Sequence, residues 1–466
     1  MIKVSDNIEA YKVDLEELIK LYTTTDVISI ELTKEQNNNL LRIQVQDKVY
    51  NFKEQAILTN DKLIYDRVTK KFIKNNLYKC LKQYYHKSLA WGSLTGVRPA
   101  KIVYDYMKEN QSLQNSINLL KKEYLVSKSK SELLFETIKN QISVTNHDSS
   151  ICLYIHIPIC PSRCVYCSFV ATDFKNAYKY IDDYCSYLEK ELIYTLEQIK
   201  RKQIKINSIY VGGGTPTIFN EKQLEQVLRH LNVYKGIEFT VECGRADTIT
   251  RTKLQTLQNC GVNRISINPQ TFNDNVLKTI GRNHTTKDVV QAFRLAREFN
   301  FDINMDLIAG LPGDTLKSFK QSIIKTIELN PENVTVHTLS IKNAGLLKFM
   351  NNAKLPAFKT VKTMLNFSNS KLKENNYNPY YLYRQKNMLG FLENVGYAKK
   401  SKFCIFNINS MEELKPIVAC GAGAISKKFH YGTGKVERIA NVKQISDYIS
   451  RFNEMITRKD YFFSQE

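Results

Sequence analysis

The stretch YIHIPICPSRCVYCSF, residues 154–169, carries three cysteines, Cys160, Cys164 and Cys167, spaced C-x3-C-x2-C with no fourth cysteine or histidine close behind. A structural zinc site needs four ligands, usually as two closely spaced pairs, and no second pair follows. Three thiolates suit a 4Fe-4S cluster, whose fourth iron then stays open to an outside ligand. The residues just before the loop, ICLYIHI, alternate like a strand, which puts Tyr154 and His156 on one face of it.

Outward from this loop, strand-like and helical segments alternate. ICLYIHI, INSIYV, IEFTVEC, RISIN, DINMDLI and NVTVHTL are the expected strands, each followed by a helical pattern. Six βα repeats predict a parallel α/β architecture, either an open barrel or a doubly wound sheet. Reactive groups in such folds gather at the C-terminal ends of the strands. The cysteine loop lies at such an end, and so does VGGGTPT at 211–217. Its three glycines are expected to let the backbone approach a ligand and offer N–H groups to an anion, the alternative being a tight βα turn. Glu242 ends the third strand, where a carboxylate can accept hydrogen bonds from an ammonium or a ribose.

The flanks differ. Residues 1–148 read as an α+β module, with strands at VISIEL, LLRIQVQ and VYNFK, a helical region, and between its helical runs the turn GSLTGVRPAK. There Arg98 and Lys101 offer either a plain turn or an anion contact. Residues 149–344 form the barrel, and 345–466 a C-terminal part that breaks the βα rhythm and is expected to close over the barrel mouth.

The chain has 466 residues, a net charge of +21 and ten cysteines. Its lysines are interleaved with acids along the whole length, which argues against a nucleic-acid-binding stripe; a polyanionic small substrate would be drawn to the same surface. There is no membrane-span pattern and no signal-peptide pattern at the start, so a cytoplasmic protein is expected. The seven other cysteines are scattered and read as small buried apolar residues.

The cysteine spacing, with an aromatic at Tyr166, resembles the signature of radical S-adenosylmethionine (SAM) enzymes. YIHIPIC, GGGTPT, RISINPQTFNDNVLKTIGRNH and INMDLIAGLPGDT together resemble the oxygen-independent coproporphyrinogen III oxidase family over residues 151–340. LTGVRPAK, VHTLSIK, YYLYRQKNMLGFLENVGYA and GAGAISK are similar to its HemZ-type, coproporphyrinogen dehydrogenase-like branch. The resemblance implies a partial (βα)6 TIM-like barrel, a 4Fe-4S cluster on Cys160, Cys164 and Cys167, and SAM as radical source. It implies that Tyr154, Gly213, Glu242 and Ser340 contact the cluster-bound SAM, with Tyr154 and Glu242 closest to the chemistry; Ser340 stands where relatives have alanine. Tyr166, Gly214, Thr215, Gln270, Arg282 and Asp306 fall where the family places a second SAM. For Arg282 and Asp306 a structural ion pair at the barrel mouth is the other reading.

The implied reaction is oxidative decarboxylation of coproporphyrinogen III propionates to vinyls, giving protoporphyrinogen IX in a monomer supplied with electrons by a flavodoxin or ferredoxin. Phe169 stands where the best-characterised decarboxylating members have a further cysteine. A haem-handling branch of the family lacks that cysteine too, so haem binding or delivery is the alternative, with His156 and His337 as conceivable ligands.

Overall fold

The computed structural model describes residues 2–464 apart from 58, 60, 97, 110–111, 147, 168–171, 343–344, 350–353 and 432–434. Phe169 therefore lies outside the described residues. Two compact units emerge, one of Met1–Lys139 with Gly390–Leu392, the other of Asn140–Leu389 with Glu393–Glu466.

In the first unit, the three expected strands appear as Ile28–Glu35, Asn38–Val45 and Lys48–Gln55, paired antiparallel. A short strand that the sequence did not announce, Ile2–Val4, pairs parallel with Ile28–Glu35 at the edge. The inward positions Ile28, Ile30, Leu32, Leu41, Ile43 and Val45 alternate with solvated ones and pack against helix Lys62–Tyr84. Each such buried aliphatic side chain contributes roughly 1.5–3 kcal/mol. At Gly92, φ is +57° and a Cβ would stand 2.1 Å from the Tyr124 carbonyl oxygen, so the GSLTG segment is a glycine-dependent turn against the end of helix Leu113–Tyr124.

The second unit is built on one eleven-stranded sheet. Its centre is the six expected strands, Ile151–Ile157, Ile206–Gly213, Glu238–Gly244, Arg264–Ile267, Asp302–Ala309 and Asn333–Thr338, in sequence order and all parallel. Parallel strands covered on both faces usually read as continuous apolar runs. Here one face is apolar and packs on the helices, as with Leu153, Ile155, Ile209, Val211, Val241 and Ile303. The other face is polar or aromatic: Tyr154 and His156, Tyr210, Thr240 and Glu242, Ser266, Asn304 and Asp306, Thr335 and His337. Helix starts are capped locally, with reciprocal boxes at Asn220–Gln223 and Thr285–Asp288.

The C-terminal residues extend both edges of this sheet. Asn394–Ala398 pairs antiparallel with the sixth strand and with Asn378–Tyr383. Ile417–Cys420 pairs parallel with the first strand and carries the hairpin Ile425–His430 and Lys435–Ala440. Gly396 is demanded by this arrangement, since a Cβ there would meet the Tyr381 ring at 1.8 Å.

The expectation of closure over the mouth is corrected in part. Residues 402–406 lie at the N-terminal ends of the strands, the end opposite the cysteine loop. There the Lys402 carbonyl accepts from Arg264 and Asn333, and the Glu238 carboxylate caps helix Ile405–Glu412 through the amides of Ile405 (2.7 Å) and Phe406 (2.9 Å). The physical reason is apolar: Phe403, Phe406 and Ile408 bury themselves with Tyr380, Tyr381 and Ile417.

Candidate functional site

The first strand leads directly into the cysteine loop. Leu153, Ile155 and Ile157 anchor the strand in the core, so Tyr154 and His156 face the polar side. The loop is then pinned by its own backbone: the Cys167 amide donates to the Cys164 carbonyl, the Val165 amide to Ile280, and the Leu347 amide to Val165. Cys164 is buried, while Cys160 and Cys167 are half-exposed. Burial pushes the Cys160 thiol up to about 11, with Thr215 donating to its sulfur at 3.5 Å and the other two cysteines as electrostatic neighbours. Among the described residues no three ligating side chains already stand at coordinating geometry. A thiolate site of this kind takes its final shape from the metal it binds.

The glycine run does different work from the one expected of it. At Gly213 φ is +111° and a Cβ would lie 2.2 Å from the His156 ring; at Gly214 it would lie 2.4 Å from the Ile159 carbonyl oxygen. The amides of Gly214 and Thr215 donate to the carbonyls of Ile157 and Ile159, both at 2.8 Å. These two N–H groups hold the cysteine loop and are not free for an anion. Gly213→Ala should accordingly cost about 2 kcal/mol or more of stability through strain and overlap, and should impair iron uptake with it. Thermal unfolding and iron loading of the variant check this; unchanged values would show that the close approach is not needed.

Glu242 stands beside this run. Its Oε1 accepts from the Tyr210 hydroxyl at 2.6 Å, and a Cβ on Gly212 would crowd Oε2 at 2.9 Å. Burial pushes its carboxyl up to about 7, helped by the Asp306 charge and opposed by Tyr210, the Gly213 amide and His337. The rings of Tyr154 and Tyr210 both stack on Phe406, with centroids 5.8 and 4.4 Å away. Across the lumen, Asp306 accepts from Asn304 at 2.8 Å and faces His337 Nε2 at 3.8 Å. Burial alone would raise its carboxyl, but His337, Asn304 and Thr335 outweigh that and hold it below the ordinary value. Tyr383 lies 3.4 Å from the other nitrogen of His337, and Tyr381 stacks on Tyr383.

A raised carboxyl gives a signed pH effect. The folded state favours protonated Glu242, so the stability it contributes is full below the unfolded value of about 4.3 and is lost as pH rises through 7. Glu242→Gln, which keeps the Tyr210 bond without the charge, should stabilise the metal-free protein at pH 8 by on the order of 2 kcal/mol and leave it nearly unchanged at pH 4.5. Thermal unfolding at the two pH values checks it; an equal effect at both would refute a buried, raised carboxyl.

Arg282 is buried and donates to the carbonyls of Asn268 (2.6 Å) and Gly244 (3.4 Å) and to the Tyr166 hydroxyl (3.4 Å). No ion pair joins it to Asp306, which instead faces His337. Gln270 sits at φ +65°, with its amide on the Asp306 carbonyl, in a backbone region that non-glycine residues enter at a cost. Gln270 Oε1, Asn268 Oδ1 and Arg282 Nε are buried with no hydrogen-bond partner among the described residues. Unpaired buried polar atoms at strand ends fit a polar ligand that completes them. Ser340 stands apart, its hydroxyl donating to the Lys386 carbonyl at 2.8 Å.

The sequence reading passed over Tyr210, Asn304, Tyr381, Tyr383 and Phe406. Extending the period-two alternation from the first strand to INSIYVGG and DINMDLI would have found Tyr210 and Asn304. No local signal marks Phe406, which arrives from a distant segment.

The radical SAM superfamily model matches residues 154–324. Over 386 residues, 80% of this chain and 77% of the relative, the sequence is 38% identical to the oxygen-independent coproporphyrinogen-III oxidase-like protein HemZ of Bacillus subtilis. It is 40% identical over 195 residues to the heme chaperone HemW of the same organism, covering 41% of this chain and 50% of that one. Among solved structures, the coproporphyrinogen III oxidase HemN of Escherichia coli, described as a radical SAM enzyme, superposes with TM-score 0.54 at 21% identity, over 68% of this chain and 72% of the other. That likeness shows a shared fold. With the six-strand barrel and the three-cysteine loop at its C-terminal end, these matches place the chain in the radical SAM superfamily, whose members use a 4Fe-4S cluster and SAM, and within it in the family of oxygen-independent coproporphyrinogen III oxidase-like proteins.

Proposed function

We propose that this protein is a cytoplasmic radical SAM oxidoreductase of porphyrin biosynthesis that converts propionates of coproporphyrinogen III to vinyl groups. The carrying observation is the gathering, at the C-terminal ends of the strands, of three thiols on a pinned loop and the raised carboxyl of Glu242 beside it. Cys160, Cys164 and Cys167 would hold the cluster. Together with SAM and an electron from a flavodoxin or ferredoxin, the cluster supplies a carbon radical able to take hydrogen from an unactivated C–H bond.

The chain's own residues bind and orient. Tyr154, Gly213 and Glu242, with Ser340 at the rim, line the place of the first SAM, where Glu242 accepts hydrogen bonds from an ammonium or ribose. Tyr166, Gly214, Thr215, Gln270, Arg282 and Asp306 line the place of a second, where Gln270 and Asp306 suit hydroxyls and Arg282 a carboxylate. Tyr154 and Tyr210 stack on Phe406 at the foot of the lumen and, with Tyr381 and Tyr383, exclude water from a site that a radical requires dry. No helix of the described residues is long and apolar enough to cross a membrane.

The test is anaerobic. The reconstituted protein, reduced and given SAM, should release 5′-deoxyadenosine, and carbon dioxide only when coproporphyrinogen III is present. SAM cleavage without substrate-dependent carbon dioxide would overturn the decarboxylation. A second reading, haem binding or delivery, is favoured by the 40% identity to a heme chaperone over 195 residues. Of its two candidate ligands, His156 is the poorer, because Nδ1 meets the Ala422 carbonyl at 2.6 Å and the other ring edge packs on Gly213. Stoichiometric haem uptake that Glu242→Gln leaves intact and His337→Ala abolishes would support it.

A further inference from the structure

Behind the cysteine loop lies a partly buried charge network centred on Arg245, a residue to which none of the roles above is assigned. Arg245 follows the third strand and is 3% exposed. It grips Asp247 with two bonds, Nε to Oδ1 at 3.0 Å and Nη2 to Oδ2 at 2.9 Å. Its remaining nitrogen, Nη1, donates to the Ser162 hydroxyl at 3.1 Å, and that hydroxyl donates to the Gly281 carbonyl at 3.2 Å. Ser162 is two residues from both Cys160 and Cys164, so Arg245 is attached to the middle of the metal-binding loop. On its far side, Asp247 Oδ1 faces His284 Nδ1 at 3.3 Å, and the Nε2 of His284 is buried without a hydrogen-bond partner among the described residues. The guanidinium of Arg282 bonds to the Gly244 carbonyl next to Arg245.

Two buried guanidiniums and a single carboxylate leave this side of the loop with a net positive charge. Burying the Arg245 guanidinium carries a desolvation cost, and Asp247, whose carboxylate keeps contact with solvent, offsets only part of it. A three-thiolate 4Fe-4S site is anionic and becomes more so on reduction, and fixed charge in a low-dielectric interior acts strongly on such a change.

We propose that Arg245, locked by Asp247, is a positioning residue for the cysteine loop and a fixed counter-charge that makes the cluster easier to reduce. This rests on the reading that Cys160, Cys164 and Cys167 hold the cluster. The redox event is a single electron passing from a reductant, dithionite in the test, to the cluster, with no bond made or broken.

The experiment is an EPR-monitored redox titration of the full-length reconstituted protein without substrate, with iron content measured alongside. Arg245→Gln should keep its iron and shift the one-electron equilibrium about tenfold toward the oxidised form, a potential ~59 mV more negative. Asp247→Asn, which removes the neighbouring anion, should shift it in the opposite direction, and Arg245→Lys should stay near the wild type. Equal potentials in all four proteins, or shifts of one sign in both charge-removing variants, would overturn the proposal. If Arg245→Gln fails to load iron, Asp247→Asn decides alone: only a less negative potential supports the proposal. A wild-type chain that binds no cluster would instead overturn the ligand reading itself.

Discussion

Replacing Cys164 by alanine will abolish the brown iron–sulfur absorbance of the anaerobically reconstituted protein and reduce SAM cleavage to background. Cys164 is the most buried of the three loop thiols, and two thiolates cannot hold a cluster that already lacks a fourth protein ligand. The fold should survive, because the backbone bonds that pin the loop, from Val165 to Ile280 and from Gly214 and Thr215 to Ile157 and Ile159, do not involve the cysteine side chain. Cys260→Ala supplies the contrast: that residue is buried in the core of the same unit, far in sequence from the loop, and its loss should leave iron binding intact. Iron and sulfide analysis with visible absorbance decides the matter, and a Cys164→Ala protein with a full cluster would refute the ligand set.

The second large effect concerns stability. Glu191 is completely buried in helix Ile181–Arg201 and faces Lys459 Nζ at 2.7 Å, a residue 1% exposed. Its oxygens also accept from the Gly421 amide (2.7 Å), the Tyr448 hydroxyl (2.6 Å) and Asn441 Nδ2 (2.7 Å). Glu191→Ala strands a buried ammonium and three further donors, which costs about 3–5 kcal/mol and lowers Tm by on the order of 10 °C. The double replacement Glu191→Leu with Lys459→Met should recover most of that loss, because an apolar pair leaves no charge behind. Calorimetry on the single and double variants tests both statements. A single variant as stable as the wild type would show that water or rearrangement satisfies Lys459.

The same network reaches the site. Gly421 and Ala422 form the turn whose Ala422 carbonyl meets His156 Nδ1, while the Tyr184 hydroxyl donates to the His156 carbonyl at 2.6 Å and accepts from the Ala422 amide at 3.1 Å. The end of the first strand, just ahead of the cysteines, is thus held by a C-terminal segment. Glu191→Ala should therefore load iron more slowly than its stability loss alone explains.

Several features could be read from single residues and their spacing. The six parallel strands followed from alternating βα patterns, because each carries its periodicity locally. The cysteine loop was legible because three thiols within eight residues, with no second closely spaced pair, match few sites other than an open metal cluster. The glycines of VGGGTPT were noticed for a valid reason, close approach of backbone, but the body approached is the protein's own His156 and Ile159 carbonyl. A glycine reports that space is short and cannot say what fills it. The pairing of Arg282 with Asp306 was open to the sequence for the same reason: a guanidinium and a carboxylate at one barrel end suit each other, yet three backbone and phenol oxygens hold the first and His337 holds the second.

By itself, the sequence determined the order of strands and helices, the thiol loop at a strand end and the polar face of Tyr154 and His156, all set by neighbours a few residues apart. Only the tertiary structure decided that Phe406 stacks on Tyr210, that Glu191 meets Lys459, that Arg245 grips the cysteine loop through Ser162, and that Glu242 is raised to about 7. Each of these depends on burial and on partners tens to hundreds of positions away, and desolvation is a property of the folded surroundings, which local patterning does not carry.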